Sequence, residues 1–523
     1  MAVFEHVLEM LALAAVAVVA CGVLFALLLR RRGLGWTWAA LGFPAGSLIF
    51  GGNPPVFLCA WAITLLACVL GAVWHRGDLA NGADIADHAH SRLGITALVR
   101  RSLSRLAVSR DGWIRDGRLI VGRDERGMPV SIPAGDGGSG SHTLVVGATG
   151  SGKTVTQAWI ASRLIEQGHG AVVVDPKGDR LLRQELQLAA DGRGVAFLEW
   201  TPEGPLAYNP YAQGTDTEIA DKALSGETFT EPHYLRQAQR YLGHAVRVMR
   251  AAAVPVTPVS LMRHLDPLEL EVTTRQLEED AVGETLRYLD GLSDRQRRDL
   301  AGVRDRLSIL AESDTRQWLD PPSTQSTLDV YQAVLDRAVV YFRLDADRRP
   351  LLSQMLGGAI VGDLITLVAR LQNRPVATVV VIDEFSAVAA DQVARLFGRA
   401  RSAGVSLILG TQELADLKTA GEGLREQTLG NVATVVAHRQ NVPESAELIA
   451  EMAGTRPVWI TTQQTDDGLL GTGPSGRGSR RRGYEFEIHP SRIKRLATGQ
   501  AVVITPGSGS PTVPWMCHPS DRR

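Results

Sequence analysis

Cysteine is scarce in this chain, with four residues in 523: Cys21, Cys59, Cys68 and Cys517. They are too few and too scattered for a disulfide framework, and no CxxC or Cys/His cluster offers zinc spacing. His88 and His90 have no further ligands at metal spacing and read as ordinary polar residues. Net charge is nearly absent, at -1 from 55 basic and 56 acidic residues. That balance excludes a uniformly basic nucleic-acid binder and leaves room for a local basic surface. Lysine is rare, only five of the 55 basic residues. A basic leader is missing too, because Glu5 and Glu9 fall in the first ten residues, which does not fit a signal peptide. What the chain has is apolar content, 45%, enough to exclude long-range disorder, and length for about two to four domains.

Charge is also missing locally. Met10–Leu29 is uncharged and is followed by Arg30-Arg31-Arg32; Gly33–Trp74 is uncharged and ends near Arg76. Each run is long enough to cross a bilayer core, and the flanking arginines point to a cytoplasmic face. The second run is too long for one straight span, and Gly51-Gly52-Asn53-Pro54-Pro55 reads as a turn within it. A hairpin of limbs 34–50 and 56–74 would place the Arg triplet and Arg76 on one side, giving three membrane segments. A short first limb, carrying Pro44 and several glycines, leaves two spans with a re-entrant or interfacial stretch as the other reading.

Beyond this anchor, Arg118–Pro133 alternates as a β-hairpin around a charged turn at Gly127. A Gly/Ser-rich connection leads to a short buried strand, 142–146, and then to Gly147-Ala148-Thr149-Gly150-Ser151-Gly152-Lys153-Thr154. A helix over 155–167 follows. This is GxxxxGK[ST] between a strand and a helix, the context a phosphate loop needs. Glycines let backbone N–H groups converge on phosphate, and the helix N-terminus adds a favourable dipole. Lys153 is expected on the β- and γ-phosphates of ATP, and Thr154 on Mg2+. Far downstream, Thr378–Ile382 is a β-branched strand ending in Asp383-Glu384. Carboxylates at such a strand tip face the ligand crevice. Asp383 is expected to hold the metal through water, and Glu384 to act as general base. A helical stretch, 392–403, carries Arg395, Arg399 and Arg401, and a strand at 405–409 ends in Gly410-Thr411-Gln412. Gln412 suits a sensor of water near the γ-phosphate; Arg399 and Arg401 read either as a solvated helix face or as an arginine finger.

These motifs, with Val172-Val173-Val174-Asp175-Pro176-Lys177-Gly178-Asp179, Tyr208-Asn209-Pro210 and Val340-Tyr341-Phe342-Arg343-Leu344-Asp345, resemble the type IV secretion coupling proteins, the TraG/TraD-like conjugation ATPases. The resemblance covers roughly residues 115–210 and 335–506, together with the existence of an anchor. It implies an α/β fold: a RecA-like P-loop ATPase domain with a mostly parallel sheet, an all-α insertion and an N-terminal transmembrane anchor. Divided so, the chain runs as anchor 1–78, linker and hairpin 79–142, motor 143–212, all-α cargo-type insertion 213–335, and motor again 336–515. The family implies a homo-hexamer in the bacterial inner membrane, multi-pass, with the ATPase domain in the cytoplasm. It moves single-stranded DNA with its relaxase, or protein cargo, to channel components of the secretion system. Carried over by motif, Lys153 and Thr154 bind ATP and Mg2+, Asp383 and Glu384 serve metal and water, Gln412 is the sensor, and Arg401 or Arg399 the finger in trans. One departure is that almost nothing lies outside the membrane, where the family has a sizeable periplasmic segment.

Residues 213–335 show helical patterning at 234–251 and 294–311 and hold 14 basic against 20 acidic residues, a balance of -6. An acidic lobe argues against a phosphate-tracking surface and favours a protein partner. Residues 468–483 are rich in Gly, Ser and Arg, including Arg477, Arg480, Arg481 and Arg482, and read as a loop. Two alternatives complete the functional readings. An FtsK-like DNA pump would carry a C-terminal winged helix, whose pattern is missing after Val503. A low-turnover, membrane-tethered nucleotide switch or scaffold fits poorly with the Asp-Glu pair, and no NKxD guanine motif is present.

Overall fold

The computed structural model describes residues 2–31, 36–50, 52–80 and 112–522, apart from 126, 136–137, 226–230, 278, 323–324, 389, 469–470 and 508–510. His88 and His90 lie outside these residues, and the side chains of Arg30–Arg32 and Arg76 outside those described. The chain forms two units, one containing the N-terminal segment and residues 457–484, the other the nucleotide motifs.

In the N-terminal segment, α1 (Ala2–Arg31) is one continuous helix, and α2 (Gly42–Phe50) and α3 (Pro54–Ala80) follow. Small residues let the helices approach closely. A Cβ on Gly22 would come within 2.8 Å of Leu66, and one on Gly42 within 2.5 Å of the Thr64 hydroxyl. Outward, Val16, Leu24, Leu58 and Leu65 are exposed. The stretch Pro54–Trp74 is long and apolar enough to cross a membrane, and most of it is exposed. The limb expected over 34–50 is different. Its described part is a 3-10 run, Trp36–Leu41, and the nine residues of α2. At 1.5 Å per residue α2 is about 14 Å long, well short of a core of about 30 Å.

The second unit is built on an eight-stranded sheet. Its strands are β1 (Thr143–Val146), β2 (Gly170–Asp175), β3 (Phe197–Trp200), β4 (Val339–Arg343), β5 (Thr378–Ile382), β6 (Val405–Thr411), β7 (Thr434–Ala437) and β8 (Val502–Ile504). Their spatial order is β8-β7-β1-β6-β5-β2-β4-β3. All pairs are parallel except β7 with the edge strand β8. A parallel sheet is covered on both faces, so its strands read as continuous β-branched runs; β1, β2 and β5–β7 are buried at every position.

The covering helices include α4 (Lys153–Glu166) and, from the insertion, α5 (Asp216–Ala223), which packs beside α6 (Pro350–Leu371). Helix α6 is as long and apolar as a membrane span, yet it is mostly buried and is a core helix. Between β3 and β4 every described named element is a helix, including Pro232–Ala251 and Asp294–Ala311 where patterning placed them. The insertion is fastened to the sheet by a buried polar knot. Lys222 on α5 is 3% exposed and donates to Asp363 on α6 at 2.6 Å, to the Pro210 carbonyl at 3.0 Å and to the Gln213 carbonyl. Tyr208 donates to the other Asp363 oxygen at 2.5 Å.

The hairpin over 118–133 is present, and Trp515–Met516 adds antiparallel to its first strand. Residues 468–483, read as a loop, are mostly strand. Thr455–Gly468 and Gly471–Phe486 pair as a two-stranded ribbon. Glycine and serine disfavour strands as isolated residues, but the ladder supplies the backbone partners the composition hides. On it Arg482 lies over the Trp459 ring at 5.3 Å.

Candidate functional site

The strand order decides what meets. Strands β1, β6, β5 and β2 are neighbours, so their C-terminal tips form one edge carrying the phosphate loop, Gln412, Asp383-Glu384 and the Asp175–Asp179 turn.

The phosphate loop folds as its glycines dictate. Gly150 and Gly152 take positive φ, +75° and +111°, a region a side chain resists. Gly147 is required for space, since a Cβ there would lie 2.6 Å from the His438 Cβ. Gly152 caps α4 with no side-chain hydrogen bond, leaving the helix N-terminus open to an anion. From outside, the Ala148 amide donates to the Arg439 carbonyl at 3.0 Å, and Gly499 N and the Thr498 hydroxyl donate to the Ser151 and Gly150 carbonyls at 3.0 and 3.1 Å. Below, His438 is fully buried; Nε2 is 3.0 Å from the Thr156 hydroxyl and Nδ1 3.0 Å from the Gln500 carbonyl. Burial pushes its pKa down to about 4, so the ring is neutral. The loop is thus held from both sides, and the buried Ser151 hydroxyl has no partner among the described residues.

Lys153 is buried between the two carboxylates, 2.8 Å from Asp383 and 2.8 Å from Glu384. Burial opposes its charge, but the two acids outweigh that and raise its pKa. Glu384 shows the mirror image: burial pushes its carboxyl up, and Lys153 and Lys177 together hold it below its ordinary value. Its backbone sits at φ +47°, uncommon for a side-chain-bearing residue, which turns it off the strand tip. Gln412 Nε2 donates to Glu384 at 3.2 Å. Gly410 on β6 is needed where three elements converge: a Cβ would lie 2.2 Å from the Gln157 amide and 2.3 Å from Asp383. Among the described residues neither polar atom of the buried Gln157 amide has a partner, and its Nε2 faces this crowded corner.

The structure brings Lys153, Asp383, Glu384 and Gln412 together at one edge, with Thr154 beside Lys153 on the first turn of α4. Arg399 and Arg401, expected as a finger in trans or a solvated helix face, are not among them. Both are exposed, before the start of β6, at the opposite edge of the sheet. Seven residues of strand separate the edges, roughly 20 Å at about 3.3 Å each. Neither arginine reaches the phosphate loop of its own chain.

The reading also missed the second lysine. Asp175 ends β2 and accepts from the backbone N–H groups of Lys177, Gly178 and Asp179 at 2.9, 2.8 and 2.7 Å. The buried Tyr341 hydroxyl donates to it as well. Burial raises the Asp175 pKa against these donors. The turn presents Lys177, whose Nζ is 2.9 Å from Glu384. The Asp-x-Lys spacing in DPKGD was the available signal, since an aspartate that closes such a turn fixes where the lysine emerges.

Comparison with known proteins agrees with this geometry. Residues 377–497 match the family model described as the TraM recognition site of TraD and TraG, and residues 114–180 the model of the helicase HerA central domain. No curated protein matches the sequence significantly. Among solved structures, the plasmid coupling protein TrwB in complex with ADP and Mg2+ superposes with a TM-score of 0.58 at 17% identity, over 80% of this chain and 92% of that one. The unbound bacterial conjugative coupling protein TrwB, lacking its first 70 residues, gives 0.56 at 16%, over 81% and 92%. VirB4 of Thermoanaerobacter pseudethanolicus gives 0.51 at 15%, over 79% and 100%. The fold is therefore the RecA-type P-loop fold of TrwB, and the resemblance to TraG/TraD-like coupling proteins stands. A helix N-terminus without a side-chain cap, a buried lysine and paired carboxylates fit ATP with Mg2+.

Proposed function

We propose that this chain is a membrane-anchored coupling ATPase that moves single-stranded DNA with its relaxase, or protein cargo, toward a type IV secretion channel. The observation that carries it is the convergence of Lys153, Asp383, Glu384 and Gln412 at one sheet edge, within a chain whose residues 377–497 match the TraD/TraG model. In this reading Gly147–Thr154 cradle the phosphates, and Lys153 leaves the carboxylates for them. Thr154 and Asp383 hold Mg2+, which supplies charge neutralisation on the phosphates. Glu384 takes the proton of the attacking water and Gln412 orients it. Arg401 or Arg399, at the far edge, serves a neighbouring subunit in a homo-hexamer. Helices α1 and α3 anchor the chain in the inner membrane, with the motor in the cytoplasm.

The test is steady-state ATP hydrolysis by the full chain in detergent, with and without single-stranded DNA. DNA is expected to raise the rate, and Lys153→Ala and Glu384→Gln to abolish it while the fold survives. Stimulation by protein cargo instead of DNA selects a protein-secretion motor, a reading supported by the balance of -6 in residues 213–335. Equal turnover by wild type and Glu384→Gln refutes the motor.

A further inference from the structure

Lysine is rare here, yet two of the five meet a single carboxylate oxygen. Glu384 Oε1 has Lys153 Nζ at 2.8 Å, Lys177 Nζ at 2.9 Å and Gln412 Nε2 at 3.2 Å. A carboxylate oxygen offers two lone-pair sites, so three donors leave none on Oε1 for a water, and every named donor to this carboxylate falls on that one oxygen. Lys153 has a second task at the phosphates, as any phosphate-loop lysine does. Lys177 is not part of that loop; it stands on a separate turn from the neighbouring strand.

That turn is rigid at its base. Asp175 gathers three backbone amides and the Tyr341 hydroxyl. Gly178 sits at φ +73°, where a Cβ would lie 2.9 Å from the Arg343 side chain. The stem of Lys177 is thus fixed, while its side chain is 45% exposed. An ion pair that open adds little to stability. A fixed stem with a solvated tip suits a contact that is made and released.

We infer that Lys177 is a positioning residue that occupies Oε1 of Glu384 and keeps water from that oxygen, so that hydrolysis is slowed until this lysine lets go. The inference rests on the reading of Glu384 as the base. When Lys153 passes to the phosphates, Lys177 and Gln412 remain on Oε1 and fill its two lone-pair sites.

The test uses the full chain in detergent, reading kcat and KM for ATP without DNA and the affinity for a fluorescent ADP. Lys177→Met is expected to raise basal kcat about three- to tenfold, a fraction of the ~10²–10⁴ that a positioned base contributes. KM and ADP affinity stay within about twofold, the signature of a change confined to the chemical step. Lys177→Arg, which keeps the charge and the reach, stays near wild type. In the Glu384→Gln background, Lys177→Met has no effect, because the lysine acts only through that carboxylate. An unchanged or lowered kcat in Lys177→Met, or a rise that persists without Glu384, overturns the hold. Equal turnover by wild type and Glu384→Gln overturns the base assignment and the hold with it.

Discussion

Replacing Lys222 by methionine tests the claim that the insertion is fastened to the motor by one buried knot. The lysine stem crosses α6 at Gly362, where a Cβ would lie 2.5 Å from the Lys222 Cγ, and methionine can follow that path. What is lost is the ammonium. It now serves Asp363 and the Pro210 and Gln213 carbonyls, and afterwards Asp363 keeps only the Tyr208 hydroxyl among its named partners. Removing one partner of a buried pair costs about 3–5 kcal/mol, whereas exposed pairs are worth about 1 or less. With Lys222 3% exposed, the larger figure applies. Replacing both partners relieves most of the loss, so the double variant Lys222→Met/Asp363→Leu is expected to be more stable than Lys222→Met alone.

The pH dependence carries a second sign. Burial raises the Asp363 pKa, and Lys222 pulls it back. Without the lysine the folded value climbs further, and the folded chain keeps a proton that the unfolded chain releases. The deficit of Lys222→Met therefore shrinks as pH falls toward the unfolded carboxylate value of about 4. Urea unfolding of the full chain in detergent, followed by tryptophan fluorescence at several pH values, reads both effects. A loss under about 1 kcal/mol, or a double variant less stable than the single, refutes the knot.

Three further outcomes are expected. Gly410→Ala places a methyl 2.3 Å from Asp383 and 2.2 Å from Gln157; ADP affinity measured by fluorescence falls tenfold or more, about 1.4 kcal/mol, while Gly398→Ala, with open space at its Cβ, leaves it unchanged. His142 and His438 have pKa values lowered to about 4 by burial. Between roughly pH 6.5 and 4 the unfolded chain takes up protons the folded chain refuses, so stability falls with acidification, by up to about 3 kcal/mol for each histidine; a flat unfolding midpoint over that window contradicts their burial. Tyr341→Phe removes one donor to Asp175 without touching Lys153; a circular-dichroism melt is expected to shift down by the equivalent of about 1–3 kcal/mol, with ADP binding retained.

What was legible in the sequence was local. The phosphate loop carries its conformation in its own glycines, and β5 announces its burial through five β-branched residues in a row. Insertion helices were visible through their 3.6-residue pattern over 234–251 and 294–311, inside the observed helices Pro232–Ala251 and Asp294–Ala311. The ribbon over 455–486 was not, because its glycines and serines signal a loop and the pairing that overrules them is a property of two strands together. The break at Gly42 within the limb over 34–50 was not legible either, because an uncharged run does not say where a helix starts.

The sequence by itself determined which residues carry chemistry: a lysine after glycines, two acids at a strand end, an amide at another. Tertiary structure alone decided that they meet. Lys153 and Asp383 are 230 residues apart and touch because β1 and β5 both flank β6. The same strand order sends Arg399 and Arg401 to the far edge and brings β2, with Lys177, next to β5. Short motifs encode their own backbone; the order of parallel strands is set by burial over the whole sheet, and that order put a second lysine on Glu384.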